Sequence, residues 1–411
     1  MRNNRIRPLA LYLPQYHTIP ENDVAWGKGF TEWTNVRKAQ PLFEGHYQPH
    51  VPHPDVGYYD LRDSSVMVRQ AAMARENGIY GFAYYHYWFN GTRLLNDPLD
   101  NMLKNPTIDM PFCYVWANEN WTKRWDGQDN EVIIAQHYSK EDDMQHIRFL
   151  CERVFSDSRY IKIDNKPLFI VYRTELLPDV IGTAALWRSE AKKYGFEDLF
   201  LVRVESFLDE INPADIGFDA AMEFAPNWRE QFSTKYNYPN ATFDPSDYWL
   251  TVLNMLRTRR EYLRFRCVYP AWDNTARKGS TAKIFMHSNP AFFHYFLQKQ
   301  VEHTIENLPE HLPYLFINAW NEWGEGCHLE PDELNQYAYL NICKKIFLEP
   351  SLESIPDLQN VLEALLNASN ERIEELIVRI YELEKSYRNI EGNKINRLRA
   401  FISRQLRRMK I

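Results

Sequence analysis

YLFINAWNEWGEG, residues 314–326, opens as an apolar run and closes on two glutamates and two glycines. Ile317, Ala319 and Trp320 have the character of a buried strand. Asn321, Glu322, Trp323 and Glu325 then place polar, ionisable and aromatic groups where the strand runs out, and a core strand has no need of them. The reading of this stretch depends on whether it is the last beat of a longer rhythm.

Seven earlier runs share its character: 9–15, 79–89, 111–119, 167–173, 199–206, 218–224 and 266–272, with 314–322 as the eighth. Helix-period stretches lie between them at 62–77, 141–155, 180–194, 245–263, 290–307 and 333–348. The first stops at Asn77-Gly78, a helix stop signal. Little helix is expected at 207–217, and a polar, proline-containing loop at 226–245. Eight strands alternating with helices predict an α/β fold, a (β/α)8 TIM barrel over residues 1–349. An open doubly wound sheet is the alternative, but no glycine-rich phosphate loop follows the first strand.

In such barrels the active site lies at the C-terminal ends of the strands. Those ends carry Gln15, Tyr16 and His17; His86, Tyr87 and Trp88; Trp116, Asn118, Glu119 and Trp121; Tyr172 and Arg173; Glu205; Glu223; Trp272, Asp273 and Asn274; and Asn321, Glu322 and Glu325. Scattered core polar residues would not fall so regularly at one end.

Aromatic residues make up 15% of the chain, including 12 Trp and 25 Tyr. Sugar-binding clefts use such rings as flat amphipathic walls, and a large aromatic core would use them too. The net charge of −7 excludes a general nucleic-acid binder. Five scattered cysteines without CxxC spacing fit a reducing compartment and argue against a disulfide framework or a structural zinc site. RPLALYLPQYH, broken by Pro8 and Pro14, makes a poor signal peptide, and no apolar stretch approaches membrane-spanning length. The expected location is cytoplasmic.

The tail has a different composition. Residues 350–391 read as helical, with Ile373, Leu376, Ile380, Leu383, Tyr387 and Ile390 on a heptad seam. That seam fits a homodimer through 355–390 or a helix packed on the barrel. Residues 392–411 hold seven basic residues and no acidic one, with Ile395, Leu398, Phe401, Ile402, Leu406 and Met409 on one helical face. Such a helix can lie on the anionic inner face of a membrane through 394–411, or be a solvated terminus.

Glu322 and Glu325 are three apart, so a helical turn would point both to one side, and Gly324 and Gly326 permit that turn. Paired carboxylates with separated pKa values are the usual equipment for breaking a glycosidic bond. Trp320 and Trp323 could supply the low-dielectric wall that raises one of them. The competing structural account has one glutamate capping a helix and the other paired with an arginine. WANENWTKRWDG (116–127) is the second constellation. Trp116, Asn118, Glu119, Arg124 and Trp125 suit sugar hydroxyls and ring faces, so Glu119 is assigned to substrate binding, catalysis being its alternative. Gln15, His17, Trp33, His86, Arg173, Glu223, Trp272, Asn321 and Trp323 complete the expected substrate contacts. His50, His53, His328 and Glu330 follow no recognised metal-ligand spacing, so neither metal nor cofactor is expected.

LYLPQYHTIPENDVAWGKGFTEWTNV, GHYQPH, GIYGFAYYHYWFNG, WANENWTKRWDG, GFDAAMEF, WDNTAR and FINAWNEWGEGCHLEPD together resemble the WbsX-type proteins of bacterial surface-polysaccharide gene clusters, over roughly residues 7–345. Those proteins look like relatives of glycoside hydrolase family 99, the endo-acting α-mannosidases and mannanases, which implies a (β/α)8 barrel. The resemblance also implies that Glu322 acts as a base on the sugar's 2-hydroxyl, which attacks the anomeric carbon to form an anhydro sugar. Glu325 then protonates the leaving group and configuration is retained. Gly324 stands where the mannosidases tend to carry a larger residue, so mannose specificity does not transfer.

These observations lead to a retaining glycoside hydrolase or transglycosidase acting on an oligosaccharide or lipid-linked glycan of O-antigen or lipopolysaccharide metabolism. A glycosyltransferase is the alternative, although no nucleotide-binding fold or clear DxD motif points to a nucleotide-sugar donor. A non-catalytic glycan-binding scaffold is the third reading, and it would have no need to keep both glutamates.

Overall fold

A computed structural model describes residues 6–123, 131–207, 210–235, 238 and 240–349. Arg124 and Trp125, the helical and heptad segment at 350–391 and the basic tail at 392–411 lie outside the described residues.

Eight strands form the barrel: β1 (Arg7–Tyr12), β2 (Gly81–Phe89), β3 (Phe112–Trp116), β4 (Lys166–Val171), β5 (Phe200–Glu205), β6 (Ala220–Glu223), β7 (Arg264–Val268) and β8 (Tyr314–Ile317). Each pairs in parallel with its sequence neighbours, and β8 pairs with β1 (Leu9↔Phe316), closing the sheet. This is the expected (β/α)8 barrel. Every residue of β2 is buried, because lumen side chains cover one face and helices the other. That two-sided burial is why the run reads as continuous aromatic and apolar sequence.

The outer helices are α1 (Ser64–Glu76), α2 (Asp97–Lys104), α3 (Lys140–Arg153), α4 (Val180–Lys193), α5 (Tyr248–Arg257), α6 (Pro290–Asn307) and α7 (Ala338–Leu348). Asp63, Ser139, Asp179, Asp247 and Asn289 cap five of them by accepting a backbone N–H from the first turn. Among the described residues between β5 and β6 the helical structure is a short 3-10 turn, Pro213–Ile216, in line with the little helix expected there. Helix α2 and two short helices in the long first loop, Pro20–Trp26 and Glu32–Lys38, were not anticipated, since seven or eight residues give too few periods to read. The loop expected at 226–245 contributes two short strands, Phe232–Ser233 and Asp244–Asp247, to a small sheet with Lys283–Met286.

The eighth run departs most from its sequence reading. The strand ends at Ile317, not at Glu322. Asn318 N–H still bonds to Val268 O of β7 (2.8 Å), but Trp320 N–H bonds to Leu11 O of β1 (2.8 Å). The chain has left the regular ladder while still bonding to both neighbouring strands. Asn321–Glu322 then pairs antiparallel with Cys327–His328, making a tight hairpin around a 3-10 turn, Trp323–Glu325. Gly326 ends that turn in the left-handed region at φ 56°, which a glycine adopts without steric cost.

Candidate active site

The hairpin is pinned from below. The Asn321 side chain clamps the end of β1, accepting from Leu13 N–H (2.8 Å) and donating to Leu13 O (3.0 Å). Tyr16 donates its hydroxyl to Asn321 O and accepts from Trp323 N–H (3.2 Å). Trp320 and Trp323 donate their indole N–H groups to the two oxygens of Glu330, at 3.1 and 2.7 Å. Gln70 and Tyr59 complete that carboxylate's partners. Burial pushes Glu330 up to about 7 against these four donors. Glu330 therefore anchors the two indoles behind the turn.

On the turn, Glu322 and Glu325 point to one guanidinium. Arg277 donates Nη2–H to Glu322 Oε2 (2.8 Å) and Nη1–H to Glu325 Oε1 (2.6 Å). Its Nε–H goes to a third carboxylate, Glu32 Oε1, at 2.8 Å. Arg277 sits on the short helix Thr275–Lys278 after β7. Glu32 opens the helix Glu32–Lys38, whose start is held by a capping box between Thr31 and Thr34. Gly324 makes the meeting sterically feasible: a Cβ there would stand 1.8 Å from Glu32 Oε1.

Three carboxylates around one cation leave an excess of negative charge in a buried place. Burial is the main cause that pushes Glu325 up to about 8; Arg277 opposes it, while Glu322 and Glu32 add to it. Burial also raises Glu322, again against Arg277. A carboxyl raised to about 8 favours its protonated form at neutral pH, which is what a general acid requires. The Arg277 proton would be loosened by burial, but the three glutamates outweigh that and hold it firmly.

The rest of the mouth is aromatic. Tyr85 and Tyr87 of β2 are buried, Tyr172 after β4 is half-buried, and all three lie within electrostatic reach of Glu325. Tyr172 also feels Glu119, so the WANEN constellation shares this mouth. There Arg173 is held between Glu119 and Glu175 and lies 4.2 Å over the Phe207 ring. Asn118 clamps the Arg173 backbone, accepting its N–H and donating to its carbonyl, both at 2.8 Å. Gln15 is fully buried with neither side-chain polar atom bonded among the described residues, and Glu32 Oε2 is likewise left over. Buried polar atoms without partners at a mouth are what a polar ligand would satisfy. Trp33 packs between Tyr16 and Trp323 at ring distances of 4.6 and 5.5 Å, and Trp272 stands edge-on to Trp228.

Three residues expected at substrate lie elsewhere. His86 is on the outer face of β2, stacked on Tyr114, with its Nε2 3.0 Å from that of His146 on α3. Trp116 packs outward against His146 and Trp187, on α3 and α4. Glu223 is bound by Arg264 (3.0 Å), while Arg266, 3.4 Å from it, bonds out to Gln300 of α6 and Met255 O of α5. In each case the strand's two-residue alternation turns the side chain away from the lumen. His17 is buried against Pro14 O (3.0 Å) within the first loop. Tyr85, Glu32 and Arg277 were not assigned from sequence. Counting alternate residues back from Tyr87 would have found the first. Glu32 and Arg277 lie 245 residues apart with no local signal linking them.

The family described as Glycosyltransferase WbsX matches residues 8–343. Two curated relatives, each called uncharacterized protein WxcX, come from Xanthomonas campestris pv. campestris, strains B100 and ATCC 33913. Each is 41% identical over 343 residues, covering 82% of this chain and 49% of the relative, so the match spans about half the relatives' length. Among solved structures, a glycoside hydrolase-like protein aligns at TM-score 0.55 and 13% identity, over 84% of this chain and 94% of its own. The family 99 endo-α-mannosidase from Bacteroides thetaiotaomicron aligns at 0.52 and 15%, over 84% and 96%. At such identities the likeness concerns the fold. With the family matching from β1 to α7, the chain belongs to the WbsX family.

Proposed function

We propose that the barrel is a carbohydrate-active enzyme of bacterial surface-polysaccharide metabolism, in which Glu322 and Glu325 break a glycosidic bond with retention. The observation that carries this reading is the shared grip of Arg277 on two glutamates of one turn at the barrel mouth, both raised by burial and Glu325 to about 8.

Glu322, as carboxylate, takes the proton from the sugar's 2-hydroxyl. The freed oxygen attacks the anomeric carbon as the bond to the leaving oxygen breaks, and Glu325 gives that oxygen its proton. In the second half an acceptor hydroxyl attacks the anomeric carbon and loses its proton to Glu325. The bond from the 2-oxygen to the anomeric carbon breaks, and that oxygen recovers its proton from Glu322. Arg277 holds both carboxylates in place and opposes the burial that raises them, while Glu32 fixes the third arm of the guanidinium.

The family's description favours a second reading, in which the acceptor is another sugar. Mass spectrometry of lipid-linked and surface glycans, incubated with the protein in isotopically labelled water, separates the two. Shortened, labelled products mean hydrolysis, and lengthened or rearranged unlabelled products mean transfer. Glycans left unchanged by a folded preparation would end both readings.

A further inference from the structure

Behind the glutamate hairpin, the first loop meets the loop after β8 at a second group of titratable side chains. His50, His328 and Asp332 are 9%, 3% and 2% exposed. His328 Nδ1–H donates to Glu330 O at 2.9 Å, which fixes the tautomer and leaves the Nε2 lone pair inside the group. That Nε2 lies 3.0 Å from His50 Nδ1 and 3.8 Å from Asp332 Oδ2. One donor atom from each of the three residues falls within 4.8 Å of the others. Asp332 is oriented by Asn335, through its backbone N–H (2.5 Å) and its side-chain amide (3.1 Å). The two loops are bound to each other independently, by His53 N–H to Pro331 O and Glu333 N–H to Val51 O, both at 2.9 Å.

This arrangement has the marks of a metal centre. Metal-bound histidines commonly donate the other ring N–H to a backbone carbonyl, as His328 does. Two imidazoles and one carboxylate suit a zinc-class divalent ion and leave a coordination position for water. Sequence spacing hid the site, because His50 and His328 lie 278 residues apart and Asp332 was not suspected. Of the other residues considered for a metal, Glu330 is committed to its four donors, and His53 lies 3.4 Å from the exposed Asp55.

We propose that His50 Nδ1, His328 Nε2 and the Asp332 carboxylate bind one zinc-class divalent cation that joins the first loop to the strand-eight loop. The His328 ring stacks on Trp323 at 3.7 Å, so the ion braces the turn that carries Glu322 and Glu325. The competing account is a plain hydrogen bond from His50 Nδ1–H to His328 Nε2, which would need no ion.

Tag-free full-length chain, expressed with zinc in the medium and dialysed, decides between them by elemental mass spectrometry. Wild type should retain about one zinc per chain, His53→Gln the same, and His50→Gln and His328→Gln almost none. Wild type with no more zinc than His50→Gln would overturn the proposal. If the variants do not fold, wild type alone suffices: its Tm should fall on chelation and recover with zinc. A zinc-free protein whose Tm ignores both treatments holds only the hydrogen-bonded histidine pair.

Discussion

Two buried glutamate–arginine clusters sit on this barrel, and they differ in charge balance. On the outer face, Glu205 and Glu223 meet Arg264 and Arg266, two anions with two cations. Spare donor capacity there goes to helix groups, Gln300 and Met255 O. At the mouth, Glu32, Glu322 and Glu325 all pair with Arg277. A balanced cluster can ionise fully and serve as a brace. A cluster with surplus carboxylates must keep a proton in place of a missing cation, and a held proton can be given away. Residue type does not separate the two clusters; the count of charges does.

Removing the cation should produce the largest effect. Arg277→Met leaves three buried carboxylates without a partner, and urea unfolding near neutral pH should show a loss of about 3–5 kcal/mol. The loss should shrink as the pH is lowered and the glutamates protonate. Arg266→Met should cost less, because Glu223 keeps Arg264. Equal losses would remove the distinction between the clusters.

The pH dependence of stability has a definite sign. Glu325 is raised from an ordinary value of 4.5 to about 8, so between those limits the folded protein binds its proton better than the unfolded chain does. Its contribution to stability is complete below pH 4.5 and is lost as the pH rises through 8. Glu330, raised to about 7, acts in the same direction. Glu325→Gln stays neutral throughout. Unfolding free energies measured from pH 5 to 8.5 should therefore fall less steeply in Glu325→Gln than in wild type, with the part due to Glu330 remaining. An unchanged slope would mean that Glu325 does not carry the proton.

Gly324→Ala tests the third carboxylate. The new Cβ displaces the Glu32 carboxylate, whose flexible end is its nearest neighbour, and one charged hydrogen bond to Arg277 is lost, worth ~1.5–3 kcal/mol. Chemical denaturation measures it, and Glu32→Gln should give a loss in the same range. The smallest effect is expected at Glu119→Gln. Its partner Arg173 is 17% exposed and also holds Glu175, so thermal unfolding should register less than about 1 kcal/mol.

Much of this architecture is legible in the chain, for identifiable reasons. The strands buried on both faces announce themselves as aromatic and β-branched runs, and α6 was bounded at both ends, Pro290 and Asn307, by its own periodicity. Strand parity was harder to read. In GFAYYHYWF nearly every side chain is aromatic, so composition does not say which alternate set faces the lumen. His86 looked like the functional residue, where the structure puts Tyr85 and Tyr87 at the mouth. The glutamate turn was readable because its two carboxylates are local. Glu32 and Arg277 were visible only as parts of FTEWTNV and WDNTAR, since their meeting is made by folding across most of the chain.

The central claim is that the unbalanced cluster is catalytic and the balanced one structural. The most direct test is mass spectrometry of lipid-linked and surface glycans incubated with wild type, Glu325→Gln and Glu223→Gln, each confirmed folded. Wild type and Glu223→Gln should alter the glycans at similar rates, while Glu325→Gln should be slower by about 10²–10⁴-fold, the worth of a general acid. A Glu325→Gln protein as active as wild type, or an inactive but folded Glu223→Gln, would contradict the account.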